Sequence, residues 1–242
     1  MELDKLYEAH LKCDFLCYLR KGKAVNSRSV IASEYVLGST GRRADLAILN
    51  GSRLTGIEVK SKYDSLVRLK NQLHVYTACF DEVILLVDER HVQQALKMAD
   101  LAVSIYKIDG QRNIVLCRAA ECAPQISVHT RVQLLSLQEL RRLNGYPAHQ
   151  SLKRSLILRE SANLPMHVVD EALKRSFRAA FTETSASFWR YVKPRGVPLD
   201  ALAYLSRFAP DRDRLREKED DKRKFWDTWR QKAAIALQDT AA

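Results

Sequence analysis

A chain of 242 residues that is 46% hydrophobic and 29% charged has the makings of one large globular domain or of a domain with an appendage. Its longest apolar run, residues 83–87, is far short of the ~18 residues that a membrane span requires. The acidic, amphipathic start MELDKLYEAH does not read as a secretory signal, which leaves a cytoplasmic protein as the expectation. The net charge of +11 suits a polyanionic partner, and most of the excess lies in the second half: +3 up to Thr130 and +8 from Arg131 onward. The five cysteines include no C-x-x-C pair and read as reduced, mostly buried thiols.

Residues 3–21 have helical spacing of apolar positions, and Gly22 is a natural stop. Residues 30–37 (VIASEYVL) fit either a strand or a short helix. Glu34 is an acid inside that apolar stretch and needs a partner, which is either a metal or Arg42 or Arg43. Two strand-like runs then flank Asn50-Gly51, a hairpin signal. With Asn50 and Gly51 as the loop, paired positions sum to 101, so Asp45 faces Gly56 and Arg43 faces Glu58. Asp45, Glu58 and Lys60 then share one face, and Leu46, Ile48, Ile57 and Val59 form the core-facing set on the other.

Residues 66–80 read as a helix with the stripe Leu66, Leu69, Leu73, Tyr76 and Phe80, and Gln72 on its edge. Residues 82–88 (EVILLVD) suit a central strand covered on both faces, and strand–helix–strand implies a parallel pair. A short helix over 89–99 precedes strands 103–108 and 113–118 around Asp109-Gly110, a second hairpin signal. From Ser127 the pattern is helical throughout: 132–143, 151–160, 165–181, 198–208 and 212–237, with Pro165 and Pro198 at two starts. The expected organisation is an α/β core over 1–126, a central mixed sheet flanked by helices, followed by a basic helical domain over 127–242. The boundary is placed near 125–130 or in the break at residues 144–147.

Two acids and a lysine on one face are the makings of a phosphodiester-cleaving centre. Mg²⁺ takes carboxylate oxygens, keeps several waters and binds substrate phosphate, and a neighbouring lysine orients water or offsets charge. The pattern Asp45, short hairpin, Glu58-Val59-Lys60 resembles the PD-(D/E)xK nuclease superfamily, with Ala44 where the motif's proline stands. Gln72-x-x-x-Tyr76 is similar to the Q-x-x-x-Y element of its RecB-like branch. The run from Glu34 to His91, with G-R-R-A-D, G-I-E-V-K-S, D-S-L-x-R-L and F-D-E-V, is similar to a bacterial and phage-borne group known by a Sorangium reading-frame name, over about a quarter of the chain.

The resemblance implies a restriction-endonuclease-like core and a Mg²⁺- or Mn²⁺-dependent nuclease acting on DNA more readily than RNA. Asp45, Glu58, the Val59 carbonyl and Glu34 would hold the metal, and Asp45, Glu58, Lys60 and Gln72 would form the catalytic set. Arg42, Arg43, Lys62 and Arg68 flank that set as phosphate contacts. In the helical half, FWRYVKPR interleaves aromatics with basic residues, so Trp189, Arg190, Lys193 and Arg195 either touch nucleic acid or form part of a packed cluster. The rival expectation is a non-catalytic nucleic-acid-binding or accessory module of the same fold, and a homodimer or protein partner is compatible with either.

Overall fold

The computed structural model describes residues 2–147, 152–192, 196–206, 221–224 and 226. Six strands form one sheet whose spatial order is the chain order: β1 (Val30–Val36), β2 (Arg43–Asn50), β3 (Arg53–Lys60), β4 (Glu82–Asp88), β5 (Val103–Ile108) and β6 (Ile114–Arg118). β1–β2–β3 is an antiparallel meander, β3–β4–β5 is parallel, and β6 returns antiparallel. The parallel steps cross over through α2 (Leu69–Cys79) and α3 (Val92–Met98). The chain opens with α1 (Glu2–Lys21), and α4 (Val128–Gln133), α5 (Leu137–Leu143), α6 (Arg154–Ser161) and α7 (Met166–Tyr191) follow the sheet.

Alternation along the strands builds two cores. Val83, Leu85 and Val87 of β4 join α2 and α4–α7 on one side, and Ile84 and Leu86 join α1, Phe188, Val192 and the 3₁₀ turn Leu199–Leu205 on the other. β4 is therefore covered on both faces, as its unbroken apolar run predicts. β3 splits in the same way: Leu54 belongs to the α2 side, and Ile57 and Val59 to the α1 side. Gly56 has no side chain because Phe80 lies over it; a Cβ there would run into the ring.

The β2–β3 turn differs from the expected one. The ladder pairs Asn50 with Arg53 and Leu46 with Ile57, so positions sum to 103 and the loop is Gly51-Ser52. Gly51 takes the left-handed conformation (φ 59°). Asn50 is held inside the ladder because its side chain donates to the Ala24 carbonyl (2.8 Å) and accepts from Ser29 Oγ (3.1 Å). A shift by an even count changes the opposed pairs but keeps Leu46, Ile48, Ile57 and Val59 together on the α1 side, as expected; Asp45 lies beyond the last pair, Leu46 with Ile57, so the register does not fix its face. At the β5–β6 turn it is Arg112 that takes the left-handed backbone (φ 66°), within a loop closed by Asp109 N–H to the Asn113 carbonyl, so Asp109-Gly110 is not a two-residue turn.

Helix boundaries moved where side chains cap. The helix expected over 132–143 is two, because Ser127 Oγ accepts from Thr130 N–H at the start of α4 and Ser136 Oγ from Glu139 N–H at the start of α5. The 165–181 helix runs on to Tyr191, and the residues after Pro198 form a 3₁₀ turn. Of the helix expected over 212–237, only 221–224 and 226 are described, and they are helical.

The grouping of the chain also differs from a break near 126: Met1–Ser206 is one compact unit and Arg207–Ala242 another. The first unit is tied by an ionic network around the buried Arg131. The Arg131 guanidinium pairs with Asp81, which precedes β4, and with Asp170 of α7 at 3.3 Å; Lys174 reaches Asp170 (2.5 Å) and Asp81 (3.3 Å). α7 also covers the edge of β1. Ser185 Oγ accepts from Ile31 N–H (2.8 Å) and donates to its carbonyl (3.0 Å), using backbone groups that would otherwise template another strand. The cysteines are free thiols, two of them buried, and burial pushes Cys13 up to about 12 and Cys79 to about 11. Among the described residues, no helix is long and apolar enough to cross a membrane.

Removing Arg131 takes the buried counter-charge from Asp81 and Asp170 and leaves them Lys174 within the network. Arg131→Ala is expected to lower unfolding free energy by about 3–5 kcal/mol in urea melts. Truncation after Ser206 should leave a cooperative transition, whereas truncation at residue 126 should abolish it, because the second cut strips Leu173, Phe177 and Phe181 from the sheet.

Candidate functional site

At the end of the sheet where β3 finishes, Glu58 and Lys60 lie two residues apart on one strand face. Glu58 is 1% exposed, and a buried carboxylate must be fully partnered. Its partners come from its own strand and from one edge of α2. Oε1 accepts from Lys60 Nζ at 2.5 Å and from Gln72 Nε2 at 2.7 Å, and Oε2 is hydrogen-bonded to the Tyr76 hydroxyl. Gln72 and Tyr76 reach it together because residues four apart share a helix face. The Tyr76 oxygen is also 2.9 Å from the Arg43 carbonyl, which fixes α2 against the start of β2.

Asp45 stands beside this set. Its Oδ2 accepts from the Val59 N–H at 2.7 Å, so the side chain occupies the place of a ladder hydrogen bond just beyond the last paired residues, Leu46 and Ile57. On the other flank the β1–β2 ladder is interrupted: Ser33 pairs with Leu46 and Tyr35 with Ala44, and between them Glu34 takes a left-handed backbone (φ 56°). That conformation is costly for a non-glycine residue, of order 1–3 kcal/mol, and such strain gathers at functional sites.

Into this gap α1 sends Lys12. Its buried ammonium lies 2.7 Å from Glu8, 2.6 Å from Glu34 and 4.0 Å from Asp45. The carboxylate oxygens of Glu8, Glu34 and Asp45 fall within 4.8 Å of one another, a spacing that one hard cation could bridge. Arg43 Nε is 3.8 Å from Glu34 at the exposed rim.

The electrostatics follow from this crowding. Burial and then the Glu58 charge hold the Asp45 carboxyl well above its ordinary value, with Lys12 and the Val59 N–H pulling the other way. Burial and the charges of Glu58 and Asp45 push the Tyr76 phenol up, so it remains a protonated donor. For Lys60, burial opposes the charge but Glu58 outweighs it, and the ammonium is held above its ordinary value. Lys12 is likewise raised: burial disfavours its charge, while Asp45, Glu8 and Glu34 more than compensate. Neither lysine is poised to give up a proton near neutrality.

The structure thus brings Glu34, Asp45, Glu58, Val59, Lys60 and Gln72 together, with Val59 contributing its amide to Asp45. Sequence reasoning missed Glu8 and Lys12. Their i,i+4 spacing on α1 was the available signal, but it reads equally as a solvated helix pair. Tyr76, expected to be core packing, is fully buried and also binds Glu58.

The proposed phosphate contacts divide into two groups. Arg43, Lys62 and Arg68 lie around the site: Arg43 beside Glu34, Lys62 two residues past Lys60, and Arg68 at the head of α2; Arg42 precedes Arg43 and is half-buried. Trp189 and Arg190 do not join them. The Trp189 indole donates to the Ser29 carbonyl (2.8 Å) and packs edge-on to Phe188 in the α1-side core, and Arg190 bonds back within α7. Ser29 is five residues before Glu34, about 16 Å away along an extended strand. For Trp189 the packed-cluster alternative holds. Lys193 and Arg195 lie outside the described residues.

Residues 1–206 match a family model described as bacteriophage P4 protein cII, and the chain belongs to that family. A curated relative, "Protein cII" of Enterobacteria phage P4, is 26% identical over 209 residues, covering 84% of this chain and 78% of the relative. No solved structure matches.

Because Asp45 binds its proton more tightly folded than unfolded, its contribution to stability is greatest below the ordinary value of 3.8 and is lost as pH rises through the elevated folded value. Asp45→Asn is therefore expected to melt higher than wild type at pH 7 in EDTA, and the gap should close below pH 4. A lower melting point for Asp45→Asn at pH 7 would contradict the sign.

Proposed function

We propose that this member of the bacteriophage P4 cII family is a divalent-metal-dependent nuclease that hydrolyses DNA phosphodiester bonds. The observation that carries the reading is the convergence of Asp45, Glu58, Lys60 and Gln72 at one sheet end, with Glu58 gripped by Lys60, Gln72 and Tyr76. Four carboxylates (Glu8, Glu34, Asp45, Glu58) crowd around two buried ammonium groups (Lys12, Lys60), with Arg43 at the rim, and a divalent cation would relieve that crowding as the proton on Asp45 does.

The oxygen-only donor set fits Mg²⁺ or Mn²⁺, which Asp45 and Glu58 would hold with Glu34. Such a metal supplies a bound water of lowered pKa and offsets charge on the phosphoryl group. The chain's own residues do the rest. Lys60, kept charged by Glu58, offers an ammonium to a phosphate oxygen or to the attacking water, a role of charge and orientation. Gln72 supplies amide donors, and Tyr76 anchors the Glu58 carboxylate so that its other oxygen keeps a defined direction. Arg43, Lys62 and Arg68 offer phosphate contacts at the rim.

A second reading, a nucleic-acid-binding module without cleavage, is favoured by one feature. The Lys12 ammonium already sits among Glu8, Glu34 and Asp45, supplying positive charge where a metal would.

The two readings separate in one set of measurements. Under the nuclease reading, Mg²⁺ or Mn²⁺ raises the melting temperature by mass action, and the full chain cuts labelled DNA in their presence. Asp45→Ala and Glu58→Ala lose both effects. Lys60→Ala keeps the metal-induced rise but loses at least 10²-fold in cleavage rate. Absence of metal-dependent cleavage of single-stranded, duplex and branched DNA alike would leave the binding-module reading standing.

A further inference from the structure

A pair of tyrosines borders the carboxylates and takes no part in the chemistry above. Tyr63 follows Lys60 by three residues, at most about 10 Å of extended backbone. It is 56% exposed, unusual for a large aromatic in a chain with two well-packed cores. Its exposure comes from a braced turn. Ser61 N–H donates to Asp64 Oδ2 (2.7 Å), Asp64 N–H to the Ser61 carbonyl (3.1 Å), and Tyr63 N–H to Ser61 Oγ (3.2 Å). Tyr7, the residue before Glu8 on α1, meets Tyr63 edge to face, with centroids 5.6 Å apart and rings at 79°. Lys62 Nζ lies 4.8 Å from the Tyr7 ring and 5.0 Å from the Tyr63 ring, which holds a cation at the junction of the two.

An exposed ring presented rigidly costs little conformational entropy when something stacks on it. A cation held at the same ring matches the phosphate of a stacked nucleotide, and Arg68, five residues after Tyr63, adds another exposed charge. Bases can reach such a ring only when they are unpaired, because in a continuous duplex both faces of each base are already stacked.

We propose that Tyr63, with Tyr7 and Lys62, is a stacking platform for an unpaired base at the mouth of the site. The substrate class is then a single strand, or an unpaired end or flap, rather than continuous duplex. This rests on the nuclease reading for its place beside the chemistry, but the binding itself does not require cleavage.

The test separates the two. In EDTA, the affinity of the full-length chain is measured for a fluorescein-labelled single-stranded 20-mer and for the same strand in a blunt duplex. Wild type should prefer the single strand. Tyr63→Ala should weaken single-strand binding about 5- to 100-fold, the range for losing one base–aromatic stack, and change duplex binding less than 2-fold. Tyr63→Phe, which keeps the ring, should stay within about 2-fold of wild type. Equal affinity of wild type for both probes, unchanged single-strand affinity in Tyr63→Ala, or an equal loss in Tyr63→Phe would overturn the platform. With Mg²⁺ or Mn²⁺ added, a protein that binds single strands through Tyr63 yet cleaves nothing keeps the platform and sinks the nuclease reading. One that cleaves both probes at a ratio unaltered by Tyr63→Ala keeps the nuclease and sinks the platform.

Discussion

Burial of the Glu58 carboxylate is the constraint on which this architecture turns. A carboxylate removed from water costs several kcal/mol unless its lone pairs are met by donors and its charge by a counter-charge. Here Lys60 supplies the charge, and Gln72 and Tyr76 supply donors from one helix edge. Tyr76 also touches the Arg43 carbonyl at the start of β2, so the arrangement that satisfies Glu58 also sets α2 across two strands. Gly56, two residues earlier on the same face, gives Phe80 room to lie on the sheet and lets the end of α2 come close. Polar satisfaction and apolar packing thus specify the same helix position, a consistency expected of a well-specified fold.

That solution leaves the neighbouring acids short of positive charge. Asp45 answers by holding its proton to an unusually high pH, under pressure from burial and from Glu58. On the metal-dependent reading proposed above, a divalent cation would relieve the Glu58 repulsion just as the proton does. The left-handed backbone at Glu34 belongs with this: a strand residue is forced out of the ladder and its carboxylate left near Glu8 and Asp45. Away from this end of the sheet the first unit is held by its two apolar cores and by the Arg131–Asp81–Asp170–Lys174 network.

The sheet and its site were legible in the sequence to the extent that periodicity carries them. The apolar run of β4 and the alternation of Leu46, Ile48, Ile57 and Val59 specify strand faces, and faces are robust to an even register shift, which is what Asn50 imposed by bonding to Ala24 and Ser29; the place of Asp45, beyond the last pair, was not specified that way. Those bonds join residues more than twenty positions apart and leave no local trace. The division of α4 from α5 could have been read from Ser136 and Glu139, a capping pattern masked by continuing apolar spacing. The role of Trp189 was not readable, because an aromatic–basic stretch looks alike whether the indole stacks on a base or caps a strand edge at Ser29. Nor was the unity of residues 1–206: a change from mixed to helical pattern marks a change of layer as readily as a change of domain.

Lys12 shows how the two faces of the sheet come to share one site. α1 packs through Leu11, Phe15 and Leu16 into the core opposite α2, yet Lys12 meets the carboxylate neighbour of a residue bound by α2. It can do so because the ladder between β1 and β2 is open at Glu34 and Asp45, the one interval of that pairing without opposed partners. Closing the ladder there would align Glu34 opposite Asp45 and set two like charges side by side, which cross-strand pairing disfavours. The break, the strained backbone and the buried lysine are therefore one structural solution to placing acids on adjacent strands. A compact ammonium on a flexible stem suits it better than a guanidinium, whose planar fork would demand a fixed bidentate partner.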